Sequence, residues 1–304
     1  MDVSIIIVNY NTCDVTRSCL KSVFEHTKDI DFEVIVSDNG SKDDSVKMIK
    51  QEFPQVILIE NNANLGFGTA NNRGLKIAKG KYIFYLNSDT ILLNNAVKIF
   101  FEYWENSLEK DKIGALGCNL MDKELQVNHS YCSFPKASIE IAKFIRRIIV
   151  VYIKCIFNIL GLNYKKYATS NNYQLYIGNV DYVTGADLFV INDKNAYFDE
   201  RFFLYYEETD LQWKIMQNGL LRKIIDGPKI IHLQGNSDSR VDDGALEDYV
   251  SFGTIQSDLS RIRFIKYNIS NMSAFILKIL LYWMWLTPIF FRKTNKYRKE
   301  IFKI

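Results

Sequence analysis

Short apolar runs that alternate with helix-length amphipathic segments constrain this chain more than any other feature. The runs are Val3–Val8, Phe32–Val36, Val56–Ile59 and Lys81–Leu86. Val3–Val8 has the character of a parallel strand buried on both faces. Between the runs, Asp14 to His26 reads as a helix whose apolar face is Val15, Leu20, Val23 and Phe24. Ser41 to Glu52 reads as a second helix, capped near Ser41, and Phe67 to Lys79 as a third. This order predicts an α/β fold: an open, mostly parallel sheet flanked by helices. Beyond Leu86 the pattern is more mixed. A helix is expected from Asn94 to about Ser107, and strands at Ile113–Leu120, Ile177–Val183 and Asp187–Ile191. Thr209–Asn218 reads as a helix closed by Gly219, with strands at Leu221–Ile225 and Lys229–Leu233.

In open sheets of this type, ligands lie beyond the carboxyl ends of the strands. Here those ends read Asn9-Tyr10-Asn11, Ser37-Asp38-Asn39-Gly40, Asn61-Asn62 and Asn87-Ser88-Asp89, all of them polar. Asp89 closes a buried strand, with a carboxamide two residues before it. A carboxylate placed there can hold Mg²⁺ or Mn²⁺ and leave positions open for phosphate oxygens. Asn-x-Asp after a strand is more often a turn or a helix cap, so its weight comes from its neighbours. One neighbour is the cluster Glu207, Glu208 and Asp210, which comes after the aromatic run Phe202-Phe203-Leu204-Tyr205-Tyr206. Acids at a helix start suit the helix dipole. The aromatic wall ahead of them suits a general base held out of water. Another is His232, one of three histidines, at a strand end before a Gly-Ser loop and available as a metal ligand.

Several classes lose support. The net charge of +3 is modest, and no basic stripe with interleaved aromatics appears in the first half, so no nucleic-acid partner is expected. The five cysteines, Cys13, Cys19, Cys118, Cys132 and Cys155, have no zinc-like spacing and read as reduced thiols of a cytosolic compartment. The sequence opens almost at once on a strand, and no secretory signal is read there. Gly66-Phe-Gly68 lacks the third glycine of a dinucleotide loop, because Asn71 stands in its place.

Two segments look membrane-directed. Ile139–Leu160 carries Lys143, Arg146, Arg147 and Lys154 within about one third of a helix circumference, opposite an apolar side. It reads either as a surface helix covering the sheet or as an interfacial membrane helix. Met272–Phe291 nearly reaches the ~20 residues of a spanning helix. Lys278 inside it, Pro288 near its end and the basic tail from Arg292 to Lys299 favour a peripheral helix in the membrane interface.

Taken in order, the motifs resemble family 2 glycosyltransferases, particularly the rhamnosyltransferase-like branch that builds bacterial O-antigens and capsules. The matching stretches are Val3–Asn11, Val34–Ser41, Asn61–Gly74, Leu86–Thr90, Thr184–Ala186, Phe198–Leu211 and Ile231-His232. They cover most of residues 1–237, and the C-terminal part of the chain matches only loosely. The resemblance implies a GT-A (Rossmann-like) catalytic domain over residues 1–240, into which 139–160 is inserted as a candidate interfacial helix. Residues 241–304 would form a helical, membrane-associating region. It implies that Asp38 hydrogen-bonds a pyrimidine, with Asn9 and Asn11 near the nucleoside and Asn71 and Arg73 near the base or diphosphate. Asp89 would bind the metal, His232 would complete the metal or diphosphate site, and Thr184, Gly185 and Ala186 would line the sugar and acceptor site.

Two departures stand out. Asn87 replaces the family's first metal-motif acid, and the usual Glu-Asp catalytic pair reads Glu207-Glu208. Glu208 becomes the expected base, with Asp210 as its rival. The implied reaction is inverting, metal-dependent transfer from a nucleoside-diphosphate sugar, best matched by dTDP-L-rhamnose, to a polyprenyl-diphosphate-linked glycan. The implied location is peripheral, on the cytoplasmic face of the inner membrane, and an oligomer is compatible with the sequence. A non-catalytic nucleotide-sugar- or glycan-binding scaffold is the alternative.

Overall fold

Strand and helix alternate in the order β1 (Val3–Asn9), α1 (Cys13–His26), β2 (Phe32–Asp38), α2 (Ser45–Glu52), β3 (Ile57–Glu60), α3 (Phe67–Leu75) and β4 (Tyr82–Asn87). This computed structural model describes residues 1–160, 173–233 and 246–304. The chain continues through β5 (Thr90–Leu92), α4 (Ala96–Asn106), β6 (Ile113–Cys118), β7 (Tyr131–Cys132) and α5 (Ala137–Ile159). Next come β8 (Gly178–Asn179), β9 (Tyr182–Val183), β10 (Asp187–Ile191), α6 (Glu207–Gln217), β11 (Leu221–Ile225) and β12 (Ile230–His232). The last helices are α7 (Phe252–Asn268), α8 (Asn271–Trp285), α9 (Pro288–Phe291) and α10 (Asn295–Lys303). The loop expected after His232 lies outside the described residues. Packing divides the described residues into two units: 1–134 with 173–203 and 207–233, and 135–160 with 204–206 and 246–304.

In the first unit, eight strands form one sheet in the order β3-β2-β1-β4-β10-β6-β11-β8. β1 runs parallel to β2 and β4, and β10 runs antiparallel to β4 and β6. The side chains of β1 separate by parity. Val3, Ile5 and Ile7 share a core with Leu20 and Val23 of α1 and Phe100 of α4. Ile6 belongs to a second core with Leu211 and Ile215 of α6. Full burial of each of these isoleucines contributes roughly 1.5–3 kcal/mol relative to exposure. A one-residue slip would exchange the two faces, so the register is strongly set.

Three elements depart from expectation. α2 begins at Ser45 rather than Ser41, because the Ser41 hydroxyl and amide are engaged with Asn9, Asn11 and Asp38. α3 stops at Leu75 rather than Lys79. The strand expected over Ile177–Val183 divides, since β8 pairs with β11 while β9 pairs with β7.

The second unit is helical. α5 packs with α8, and α8 with α7, so α5 groups with the C-terminal helices. The charge pattern of α5 differs from its sequence reading. Arg147 turns inward and binds both carboxylate oxygens of Asp258, Nη1 to Oδ1 at 2.9 Å. Lys154 is buried beside Tyr249, while Lys143 and Arg146 stay exposed. The exposed surface of α5 carries the apolar Ile145, Ile149, Tyr152, Ile153 and Ile156 alongside Lys143 and Arg146. α8 exposes Met272, Phe275, Ile276, Ile279 and Trp283 at helical spacing, and Tyr152 and Trp283 bring the stripes together at 6.1 Å between ring centroids. α8 ends at Trp285, and Pro288, which has no N–H to donate, opens α9. Among the described residues, no helix is long and apolar enough to cross a membrane.

Candidate active site

The carboxyl ends of β1, β2 and β4 and the amino end of the antiparallel β10 lie side by side, and each brings a polar group. Asn9 is fully buried at the end of β1. Its Nδ2 donates to Asp38 Oδ1 at 2.7 Å and to Ser41 Oγ at 3.0 Å. Its Oδ1 accepts from Thr12 at 2.8 Å and from Thr16 at 2.7 Å. Asp38 Oδ2 in turn accepts the amides of Gly40 and Ser41. Both side chains are therefore spent on shaping the loop after β2. Asn11, exposed and at φ 54°, closes that loop by accepting the Lys42 amide at 2.7 Å. The sequence reading missed Thr12, Thr16 and Ser41. Their signal was present as hydroxyl residues beside two strand ends.

On α3, Asn71 is buried and donates to the Phe67 carbonyl of its own helix. Arg73 is exposed and donates to Asn61 Oδ1 at 3.1 Å. Asn72, which the sequence reading passed over, exchanges two hydrogen bonds with the backbone of Phe198. Gly66 starts the helix at φ 84°, and a Cβ there would lie 2.1 Å from the Phe203 carbonyl oxygen. Only glycine meets both demands.

Asp89 and His232 meet through backbone pairing. β5 and β12 are antiparallel with Thr90 opposite His232, and the Leu233 amide donates to the Asp89 carbonyl. Nε2 of His232 then lies 3.2 Å from Oδ1 of Asp89 and 3.4 Å from Nδ2 of Asn87. Asn87 Oδ1 is buried and has no hydrogen-bond partner among the described residues. One carboxylate, one imidazole and an uncommitted carboxamide oxygen suit a hard divalent cation such as Mg²⁺ or Mn²⁺. Among the described residues, no three or more His, Cys, Asp or Glu side chains form a metal cage. A cation held here would draw its remaining oxygens from a bound diphosphate.

Thr184, Gly185 and Ala186 lead into β10, and the Ala186 carbonyl accepts the Asn87 amide at 3.0 Å. Gly185 places this turn against Glu208, whose Cβ would lie 3.5 Å from a Cβ added at Gly185. The three acids of α6 separate by environment. Glu207 is buried against Gly68 of α3, and Asp210 is buried and paired with Lys214 at 2.6 Å. Glu208 is half-buried on the side of the Thr184–Ala186 turn. Gln212 ties α6 to β9 through both the amide and the carbonyl of Val183. Asp187, unremarked in the sequence, is fully buried and accepts the Cys118 amide at 2.7 Å. Burial pushes its carboxyl up to about 7, with the Cys118 amide and His232 opposing that shift.

The sheet order and its flanking helices define a mixed α/β domain with a GT-A-like fold. Residues 4–131 match the model of Glycosyl transferase family 2. The chain is similar to WfaP of Escherichia coli, a UDP-Glc:alpha-D-GlcNAc-diphosphoundecaprenol beta-1,3-glucosyltransferase. The two are 39% identical over 121 residues, which is 36% of this chain and 47% of that protein. It is also similar to a poly(ribitol-phosphate) beta-glucosyltransferase of Bacillus spizizenii, 31% identical over 38% of this chain and 19% of that protein. The match thus spans less than half the length of either relative. Among solved structures, the fold is similar to mannosyltransferase PcManGT from Pyrobaculum calidifontis in complex with GDP-Man and Mn²⁺. That likeness has a TM-score of 0.53 at 13% identity and covers 93% of this chain and 71% of that one.

Proposed function

We propose that this protein transfers a glycosyl group, with inversion, from a pyrimidine nucleoside-diphosphate sugar to a hydroxyl of a lipid-linked glycan. The observation that carries the proposal is the Asp89–His232 pair, 3.2 Å apart just past β4 and beside the side-chain carboxamide oxygen of Asn87, which has no partner among the described residues. Asp89 and His232 would hold Mg²⁺ or Mn²⁺, which supplies Lewis-acid stabilisation of the charge on a departing diphosphate. The loop shaped by Asn9, Asn11 and Asp38 forms the seat for the nucleoside, and Arg73 extends toward the diphosphate.

Glu208 is the general base. It takes the proton of the acceptor hydroxyl as that oxygen bonds to the anomeric carbon, and the bond to the diphosphate breaks on the opposite face. Glu208 is preferred over its rivals because Glu207 is buried under α3 and Asp210 is committed to Lys214. Thr184, Gly185 and Ala186 line the space in front of it, where sugar and acceptor meet.

Two donors fit this reading: dTDP-L-rhamnose, from the resemblance of the motifs, and UDP-glucose, the donor in the name of WfaP. The same name supports a polyprenyl-diphosphate acceptor. The exposed apolar stripes of α5 and α8, together with exposed Arg146, Arg292, Lys293 and Lys296, support peripheral binding at the cytoplasmic membrane face. The test is release of nucleoside diphosphate by purified protein with Mn²⁺, a donor panel and a polyprenyl-diphosphate glycan. Release with one donor, abolished in Asp89→Ala, supports the reading. No release with any donor leaves a binding role instead.

A further inference from the structure

His129 and Cys132 form a contact that the proposed reaction does not use. Nε2 of His129 lies 2.8 Å from Sγ of Cys132, close for a nitrogen and a sulfur. Tyr182 stands directly opposite Cys132 where β7 pairs with β9, so the two side chains share one face of that ribbon. Burial first, then the neighbouring Cys132 and Glu208, push the Tyr182 phenol up. It therefore stays protonated, and its hydroxyl bonds to the Cys132 sulfur. One sulfur thus faces two groups able to donate to it, an imidazole and a phenol.

The thiolate is the nucleophilic form of cysteine, and an adjacent imidazolium favours it. Cys132 and His129 are both half-buried, which leaves the sulfur within reach of a small reagent. Cys19 and Cys118 differ, since both are fully buried and burial pushes both thiols up. The pair is also tied to the transfer site. The Ser130 carbonyl accepts the Thr184 amide at 3.0 Å, and Glu208 is close enough to Tyr182 to act on its phenol. All of these residues belong to the first unit.

We infer that Cys132, paired with His129, is a modification site for low-molecular-weight disulfides at the border of the transfer site. The proton of the thiol moves to His129 Nε2, and the thiolate attacks one sulfur of the reagent. A new S–S bond forms to Cys132 and the reagent's own S–S bond breaks. The departing thiolate takes up the proton from His129. The attached group then lies beside the Thr184–Ala186 turn and hinders the acceptor. That last consequence rests on the proposed function, whereas the reactivity of the thiol does not.

The test treats the full chain with glutathione disulfide at pH 6.5 and follows each cysteine by peptide mass mapping. Cys13 and Cys155, also half-buried and with thiols pushed up by burial, serve as internal references. Cys132 should react roughly tenfold or more faster than either. His129→Gln should lower that rate at least about tenfold, and Tyr182→Phe, which loses only a hydroxyl, should lower it severalfold. Continued protection of the buried Cys19 shows that a variant is folded. Wild-type Cys132 reacting no faster than Cys13 overturns the inference, as does an unchanged rate in both variants. Treatment should also lower transfer at least about tenfold in the wild type and leave the rate of Cys132→Ser where it was before treatment. Undiminished transfer by fully modified protein overturns the placement at the border of the site. The labelling needs no turnover, so an untreated protein without transfer counts against the proposed function alone.

Discussion

The imidazole of His232 stands 3.2 Å from the carboxylate of Asp89 because two three-residue strands, β5 and β12, pair in one register. The backbone makes this contact, so it precedes any ligand. In the proposed function the pair would supply two donors to a divalent cation, and a bound diphosphate would supply further oxygens.

Asp89→Ala should therefore remove most Mn²⁺-dependent donor binding and lower turnover about 100-fold or more. His232→Ala should weaken the same binding by roughly 10- to 100-fold while leaving the β5–β12 pairing intact. Calorimetric titration of UDP-glucose or dTDP-L-rhamnose with and without Mn²⁺ checks both. Equal donor affinity with and without the metal in the wild type would count against the site.

Glu208→Gln should retain donor binding and lose about 10²- to 10⁴-fold in kcat. Asp210→Asn should act mainly on stability, since Asp210 is buried and paired with Lys214. Steady-state kinetics beside thermal melts separates the two. The opposite pattern would move the base to Asp210.

Asp187 predicts a pH dependence of stability. Its folded pKa is raised to about 7 by burial, against roughly 3.9 in an unfolded chain. Between those values the folded state holds a proton that the unfolded state has lost. Stability from this group is thus complete below about pH 4, falls as pH rises toward about 7, and is level above that. Asp187→Asn should remove a component on the order of 2–4 kcal/mol across that window. Urea unfolding at pH 5 and pH 7.5 reads it as a smaller pH difference in the variant than in the wild type.

The apolar stripes of α5 and α8 predict vesicle binding. Ile149→Glu combined with Trp283→Glu should reduce co-sedimentation with anionic vesicles at least tenfold, because both side chains are exposed and flank the same apolar face. Undiminished co-sedimentation would assign membrane contact to the basic C-terminal residues instead.

Backbone closeness gives a further check. Gly66→Ala should destabilise the protein by about 1–3 kcal/mol or more, since the new methyl would collide with the Phe203 carbonyl at a left-handed backbone position. Thermal unfolding measures it.

Much of the fold was legible in the sequence. Short continuous apolar runs placed β1, β2 and β4, and the polar residues after each strand marked the carboxyl edge of the sheet. The acids of α6 were visible as a cluster, because side chains close in sequence on a helix start are close in space. Their division into a buried Glu207, a paired Asp210 and a half-buried Glu208 was not, since each neighbour comes from a distant element.

The sequence by itself determined the alternation of strand and helix, the polar carboxyl edge and the presence of the acids and His232. Tertiary structure alone decided which of these groups meet. It joined His232 to Asp89 through strand register and consumed Asn9 and Asp38 in hydrogen bonds with Ser41 and the Gly40 amide. It also turned Arg147 inward to Asp258, so that only part of the α5 charge faces outward beside its exposed isoleucines. The physical reason is the same in each case. A local pattern sets periodicity and burial tendency, whereas a charge or an amide takes its direction from a partner far along the chain.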